Sequence, residues 1–243
     1  MRVAIVSDIH GNRHAFEKVI KAARAAGVDE LWCLGDLVGY GAEPDACVAL
    51  AAEHCTICLA GNHDLAVTGV LSLDEFSRGA ALAAQWTIDT IAPEARAWLA
   101  GLPSTGEARG MGLYHASPRD PVWEYVLSTL AAELCLDAAP QAVSFIGHSH
   151  VALAFVREEG APATGATRHA EETADLASGE WLVNPGSVGQ PRDGDPRAAW
   201  LLLDTANLEA VWKREEYDVR GAADAIRAAR LPESLAERLT HGQ

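Results

Sequence analysis

Histidine, aspartate and asparagine side chains recur where short apolar runs of this sequence end. They occur in Asp8-Ile9-His10, Gly35-Asp36, Gly61-Asn62-His63-Asp64, His115 and Gly147-His148-Ser149-His150. Mixed imidazole, carboxylate and amide donors are typical of transition-metal sites, and one ion takes about four to six of them. Two ions that share a bridging carboxylate would use the whole set, which is an arrangement suited to displacement at phosphorus.

These polar groups follow elements that alternate between strand and helix over roughly the first sixty residues. Residues 2–6, 31–34 and 55–59 are predicted strands, and the pattern predicts helices from Ala15 to Ala26 and from Ala46 to Ala52. Such alternation indicates βαβ units and a parallel sheet. Because ligands of open α/β sheets bind at the carboxyl ends of strands, we expect the polar groups to meet at one edge.

The rest of the chain predicts further strands around a helical insertion at about residues 65–101. Strands are expected at 110–115, 142–146, 151–156, 181–184, 199–204 and 208–215. Residues 158–179 are polar and predict a surface loop, and residues 221–238 predict one final helix. No linker divides the chain, so we expect a single domain over residues 1–243.

Composition excludes several classes of function. The 243 residues carry 19 basic and 34 acidic side chains, a formal net charge of −15, which opposes coating of nucleic acids. No signal peptide or membrane-spanning run is evident, so we expect a cytoplasmic protein that does not bind membranes. Five cysteines are an odd number and argue against a disulfide framework, and the isolated Cys55-Thr56-Ile57-Cys58 motif is better explained as part of a buried strand.

The ordered motifs resemble those of the calcineurin-like metallophosphoesterases. The resemblance runs through residues 8–12, 35–41, 61–64 and 147–150, and the later run 184–192 is similar to the bacterial small phosphoesterase and phosphodiesterase branch. It implies an α/β fold, a four-layered α/β/β/α sandwich of two mixed sheets. It further implies hydrolysis of phosphoric esters at two divalent transition-metal ions, whether Mn, Fe, Ni or Zn.

The resemblance also implies roles for individual residues. The first metal would be held by Asp8, His10, Asp36 and His150, and the second by the bridging Asp36 with Asn62, His115 and His148. A metal-bridging hydroxide would attack phosphorus. His63 would be a catalytic residue that is not a ligand; it would protonate the leaving oxygen or stabilise the phosphoryl oxygens.

Several neighbouring residues have two interpretations. Asp64 would orient an imidazole or cap a loop. Asn12, Arg119 and Arg192 are candidates for binding the substrate phosphate, against a capping role for the asparagine and solvation of the arginines. For Trp123 and Tyr125 we favour packing of their loop over stacking on a nucleobase.

We therefore expect a phosphoesterase that acts on small phosphodiesters or phosphomonoesters. A dinucleoside-tetraphosphate hydrolase or a Ser/Thr protein phosphatase is an alternative, and each would need a wider and more basic groove. A non-catalytic metal-binding scaffold subunit is an alternative from another class, although a degenerate scaffold should lack His63 or several ligands. A homodimer is compatible with the sequence, which does not argue for one.

Overall fold

The computed structural model describes all 243 residues, Met1–Gln243. Its strands are β1 (Arg2–Val6), β2 (Glu30–Cys33), β3 (Ile57–Cys58), β4 (Thr105–Ala108), β5 (Met111–Tyr114), β6 (Val143–Phe145), β7 (Ala152–Arg157), β8 (Thr164–Thr167), β9 (Thr173–Asp175), β10 (Glu180–Pro185), β11 (Ala198–Asp204) and β12 (Glu209–Glu215). Its helices are α1 (Arg13–Ala25), α2 (Pro44–His54), α3 (Asn62–Thr68), α4 (Arg78–Thr90), α5 (Pro93–Ala100), α6 (Thr129–Ala138), α7 (Val219–Ala228) and α8 (Glu233–His241).

The strands form two mixed sheets of six strands each. The first sheet has the order β3-β2-β1-β11-β12-β9, and the second has the order β4-β5-β6-β10-β7-β8. Strands β1, β2 and β3 are parallel, as expected, whereas β11 pairs antiparallel with β1. In the second sheet β5, β6 and β10 are parallel, and the remaining pairs are antiparallel.

The two sheets pack face to face and helices cover their outer faces. Ile5 of β1 and Phe145 of β6 belong to the buried core between the sheets. The alternate residues of β1 point outward, so Val6 packs with Phe16 of α1. On the far side Leu136 of α6 packs on the second sheet. The predicted four-layered α/β/β/α sandwich is therefore confirmed.

Two expectations about secondary structure are wrong. Residues 158–179 contain two short strands: β8 is an edge strand of the second sheet and pairs with β7, and β9 is an edge strand of the first sheet and pairs with β12. The predicted final helix is two helices, α7 and α8, because Pro232 at the N-cap of α8 lacks the N–H that a continuous helix requires. Helix α6 was not expected at all.

Helices α3, α4 and α5 lie between β3 and β4, where the helical insertion is expected. Arg78–Thr90 begins after the N-cap Ser77, whose hydroxyl accepts from the Ala80 N–H. Helix α5 begins with Pro93, a residue tolerated in a first turn. No helix of the structure combines the length and the apolar character that crossing a membrane requires.

Candidate metal centre

Both sheets contribute to one buried group of metal-ligating side chains. The loops after β1 and β2 and the start of α3 supply Asp8, His10, Asp36 and Asn62, and the loops after β5 and β6 supply His115, His148 and His150. All are buried, with 0–4% of each residue exposed. The structure thus brings together all seven side chains that the motifs imply as ligands.

A first cluster consists of Asp8, His10 and His150. Asp8 Oδ1 lies 3.4 Å from His150 Nε2 and 3.8 Å from His10 Nε2. The two Nε2 atoms of His10 and His150 are 3.1 Å apart. Three donor atoms therefore converge on a space that one ion could occupy.

A second cluster consists of Asp36, Asn62, His115 and His148. His115 Nε2 lies 3.1 Å from Asn62 Oδ1 and 3.4 Å from Asp36 Oδ2, and His148 belongs to the same group of converging donors. Asp36 Oδ2 is also 3.6 Å from His10 Nε2 of the first cluster. One carboxylate oxygen therefore faces both clusters.

Three of the imidazoles are oriented with a ring nitrogen towards the centre. The Nδ1 atoms of His10, His115 and His150 lie 3.1, 3.1 and 2.7 Å from the carbonyl oxygens of residues 38, 34 and 190. A carbonyl oxygen only accepts, so each Nδ1 carries a hydrogen and each Nε2 is the ring nitrogen that faces the centre. Backbone carbonyls thereby orient these imidazoles so that Nε2 could bind a metal ion.

Unpaired buried atoms point to the same use. Asp8 Oδ1, Asp36 Oδ2 and His148 Nε2 are buried without a hydrogen-bond partner. An unpaired buried carboxylate oxygen costs on the order of 1–3 kcal/mol or more, and a cation would satisfy it. The nitrogen and oxygen donors present fit divalent transition-metal ions.

Electrostatics at the centre show a shortage of positive charge. Burial raises the pKa of Asp8 to about 7. Burial alone would lower the pKa of His115, but the Asp36 and Asp8 carboxylates outweigh it and raise that pKa to about 9. Burial lowers the pKa of His148 to about 3, which leaves its imidazole neutral and able to coordinate. A cation would offset the burial of the Asp8 carboxylate and the negative charge that Asp36 and Asp8 place beside His115.

The backbone at the ligands adopts a conformation that non-glycine residues seldom take. The φ angles are 56° at Asp8, 50° at His10, 56° at Asp36, 64° at His148 and 59° at His150. Each left-handed residue costs about 1–2 kcal/mol. Such strain concentrates at functional sites, and here it turns the chain sharply after the strands so that these side chains converge.

Glycine is required where two of these loops touch. Gly35 has a φ of +108°, and a Cβ there would lie 2.6 Å from the Gly61 nitrogen. A Cβ at Gly61 would lie 2.1 Å from Asp36 Oδ1. Only glycine allows the loops that carry Asp36 and Asn62 to approach this closely.

Asp64 caps these loops and does not orient an imidazole. Its Oδ2 accepts from the N–H groups of Asp36 and Gly61 at 2.8 and 3.0 Å. Its Oδ1 accepts from those of Leu37 and Val38 at 3.0 and 3.2 Å. Of the two interpretations of this residue, the structure selects the loop cap.

His63 lies beside the centre and has a free nitrogen. Its backbone N–H donates to Asp36 Oδ1 at 2.8 Å, and its ring centroid is 4.9 Å from that of His10. Its Nδ1 is buried without a partner. Burial lowers the pKa of His63 to about 4. The imidazole borders the cleft above the ligands, where a substrate would contact it.

The three residues considered for phosphate binding have different environments in the structure. The Asn12 side chain caps α1 by accepting from the Ala15 N–H and donates to the Gly189 carbonyl, which is the capping role of its two interpretations. Arg119 pairs with Glu124 at 3.3 Å and does not line the cleft. Arg192 does line it.

The cleft also contains residues that the sequence reasoning did not single out. Its volume is about 210 Å³, and Tyr40 and Phe76 line it together with Trp123, Tyr125 and Arg192. Tyr40 lies within the motif at residues 35–41, and its place in that motif is the sequence signal that points to it. Phe76 belongs to the helical insertion, and no sequence signal links it to the ligands.

Comparisons with known proteins agree with this geometry. A model of the calcineurin-like phosphoesterase superfamily domain matches residues 1–208. An uncharacterized protein of Methanocaldococcus jannaschii is 36% identical over 247 residues, covering 99% of this chain and 98% of its own. The crystal structure of a metallophosphoesterase from Sphaerobacter thermophilus is 39% identical with a TM-score of 0.90, covering 100% of this chain and 99% of that one. The crystal structure of a hypothetical protein of Pyrococcus horikoshii has the same fold, with a TM-score of 0.78. It is 20% identical and covers 100% of this chain and 98% of that one.

Proposed function

The chain belongs to the calcineurin-like phosphoesterase superfamily, and from this premise we propose that it hydrolyses small phosphodiesters or phosphomonoesters at a binuclear metal centre. The observation that carries the proposal is the position of Asp36. Its unpartnered Oδ2 faces His10 at 3.6 Å and His115 at 3.4 Å, so it belongs to both donor clusters. A shared carboxylate is what two adjacent ions require.

The remaining ligands divide between the two proposed ions by proximity. Asp8, His10 and His150 would hold one ion, and Asn62, His115 and His148 would hold the other. When bound, two divalent ions would activate water as a nucleophile near neutral pH and offset the charge of phosphate oxygens. Neutral imidazoles keep the net charge of such a centre positive.

Two side chains beside the ligands would act on the substrate. Arg192 forms no ion pair in the structure, lines the cleft and would contact a phosphate oxygen. His63 lies between His10 and the cleft and would donate a proton or a hydrogen bond to the leaving oxygen. Asp64 would act only by holding the loops that carry Asp36 and Asn62.

The size and charge of the cleft support small substrates over the alternatives from the same superfamily. The cleft has a volume of about 210 Å³, and Arg192 is the one cationic side chain among its lining residues. A groove for a phosphoprotein or for a long polyphosphate would be wider and more basic, since phosphate recognition depends on positive charge. A non-catalytic scaffold is disfavoured because His63 and the full donor set are present together.

A substrate panel after metal exchange tests the proposal. The protein would be stripped with a chelator, reloaded with manganese, nickel or zinc, and assayed on phosphomonoesters, phosphodiesters and dinucleoside tetraphosphates. We expect two ions per chain by elemental analysis, with the small esters hydrolysed fastest. Failure to hydrolyse any ester with any of the metals would overturn the enzymatic function and favour the scaffold.

The role of His63 has a separate test. His63→Ala should retain two ions per chain while turnover falls by about 10²–10⁴-fold, the usual contribution of a general acid. His241→Ala, which removes an exposed imidazole in the last turn of α8, is the matched control and should leave turnover unchanged. Unchanged turnover in His63→Ala would remove this residue from the proposed mechanism.

A further inference from the structure

One side of the cleft is an aromatic wall built from separate parts of the chain. Phe76 comes from the segment between α3 and α4, and Trp123 and Tyr125 come from the loop between β5 and α6. All three line the same cavity as His63 and His148. The helical insertion and a loop of the second sheet therefore meet over the metal-ligating residues.

The rings of this wall are in sequential contact. The Phe76 centroid is 5.0 Å from that of His63 and 5.1 Å from that of Trp123, and both pairs meet edge to face. Tyr125 stacks on His148 at 4.2 Å with an interplanar angle of 27°. The aromatic surface thus extends from the proposed leaving-group donor, His63, across to a proposed metal ligand, His148.

Phe76 packs in part against the hydrophobic cluster that contains Ala80 and Ala83, whereas Trp123 and Tyr125, for which packing was expected, belong to no core cluster. In the loop that carries Trp123 and Tyr125, Val126 is the residue that packs in the core, and only 2% of it is exposed. Tyr125 beside it is 49% exposed, and Phe76 and Trp123 are only half-buried. Aromatic surface that stays accessible inside a cleft is available to stack on a ligand.

Charge places the phosphate at the other end of the same run of side chains. The Arg192 guanidinium lies 5.7 Å from the Tyr40 ring centroid, and Tyr40 lies 4.5 Å from His63. Neighbouring side chains therefore run from Arg192 through Tyr40, His63 and Phe76 to Trp123, whose ring centroid lies 6.4 Å from that of His148. A phosphate beside Arg192 and the ligands would direct its leaving group past His63 towards Phe76 and Trp123.

We propose that the cleft selects phosphoesters whose leaving group carries a planar aromatic ring, which stacks on Trp123 and Phe76. The inference rests on the proposed function and specifies its substrate class. The volume of about 210 Å³ lies below the roughly 300–1,000 Å³ of typical small-molecule pockets, which favours one ring system attached to the phosphate. A nucleobase and a simple aryl group supply the same chemistry.

Binding of unreactive ligands tests stacking without depending on turnover. Calorimetric titration of the metal-loaded protein would compare phenylphosphonate with cyclohexylphosphonate, which have similar charge and size. We expect the phenyl compound to bind about 5- to 20-fold more tightly, the range typical of one aromatic stacking contact. Trp123→Leu and Phe76→Leu should each reduce this ratio towards one and leave the affinity for inorganic phosphate unchanged.

A matched control separates stacking from a general effect of losing a tryptophan. Trp98→Leu removes a half-buried tryptophan of α5 that lies outside the cleft, and it should preserve the phenyl preference. Titration of the unreactive phosphonate analogues of adenosine 5′-monophosphate and ribose 5-phosphate, in which a methylene group replaces the ester oxygen, distinguishes the two sources of the ring. If the adenosine compound is preferred over the ribose compound by a larger affinity ratio than phenyl over cyclohexyl, the ring is assigned as a nucleobase. If that ratio is smaller, the ring is assigned as a simple aryl group.

The outcomes distinguish this inference from the function on which it rests. Equal binding of the phenyl and cyclohexyl compounds, or a preference that survives in both cleft variants, would overturn the stacking proposal while hydrolysis of small esters still stood. Absence of binding by inorganic phosphate itself would overturn the proposed function as well. A preference that is lost only in the Trp123 and Phe76 variants supports the inference.

Discussion

Replacing Asp64 with asparagine should destabilise the protein although the two side chains have nearly the same shape. Each carboxylate oxygen of Asp64 accepts two backbone hydrogen bonds: Oδ2 from Asp36 and Gly61, and Oδ1 from Leu37 and Val38, at 2.8–3.2 Å. An amide has one acceptor oxygen and one donor NH₂ group. In either orientation of the amide, two buried N–H groups would therefore face another donor.

The expected magnitude follows from those two unsatisfied groups. Each buried N–H without an acceptor costs about 1–3 kcal/mol, and removal of a buried charge recovers part of that loss. We expect Asp64→Asn to lower the free energy of unfolding by about 2–4 kcal/mol, a large share of the roughly 5–15 kcal/mol typical of a folded protein. Asp64→Ala leaves all four donors unsatisfied and should cost more.

Chemical denaturation of chelator-treated protein measures the effect without a contribution from bound metal. Asp89→Asn is the matched control, because Asp89 is exposed at the end of α4 and accepts only from the Gln85 side chain. It should change the free energy of unfolding by less than about 0.5 kcal/mol. An Asp64→Asn variant as stable as this control would refute the capping role that the structure assigns to Asp64.

Three further substitutions test other parts of the structure. Gly39→Ala should lower the free energy of unfolding by about 1–3 kcal/mol and reduce turnover. The reason is that φ at Gly39 is +87° and the new Cβ would lie 2.3 Å from His63 Nδ1. Thermal unfolding measures the first effect and an esterase assay the second. Asn12→Ala should lower stability by about 1 kcal/mol through loss of the α1 cap, with KM unchanged in steady-state kinetics. A backbone N–H and the Arg157 guanidinium lower the pKa of Glu133, so this interaction stabilises the protein above the unfolded-state pKa and is lost as pH falls. Arg157 also pairs with Asp137 and Glu180, so Arg157→Gln removes three ion pairs. It should lower Tm at neutral pH and have less effect at pH 3, as measured by thermal scans across that range.

Controls and contrary results for these variants also come from the structure. Gly110→Ala has a φ of +75° but open space around the new Cβ, so it should show backbone strain without loss of turnover. If Gly39→Ala loses no more stability and turnover than Gly110→Ala does, the protein tolerates displacement of the His63 side chain. A raised KM in Asn12→Ala would restore the phosphate-binding interpretation. A Tm difference between Arg157→Gln and the unmodified protein that does not change with pH would show that ion pairing with Glu133, Asp137 and Glu180 does not stabilise the protein.

Local patterns were sufficient to predict the strands and helices whose own side chains carry a clear hydrophobic pattern. β1 was predicted with its observed bounds, because Val3–Val6 is apolar on both faces and both faces are buried. β8 was missed because Thr164–Thr167 is exposed and rich in small polar residues, so only its backbone pairing with β7 makes it a strand. α6 was missed although its alanines and leucines suit a helix.

The amino-acid sequence by itself determined which donor groups the centre contains. The spacing of Asp8 and His10, the glycine before Asp36 and the paired histidines at 148 and 150 are local features that predict strand ends carrying ligands. The order of these motifs identified the family. Each motif spans only a few residues, so the donor groups within it can be identified from the sequence without knowledge of the fold.

Only the tertiary structure decided how these groups act together. Carbonyl oxygens from other loops orient the imidazoles, the Asp36 oxygen faces both clusters, and Asp64 is occupied by four backbone N–H groups. The meeting of Phe76 with Trp123 was equally absent from the sequence pattern. The physical reason is that such contacts join residues far apart in the chain, and their distances depend on how two sheets and an inserted group of helices pack.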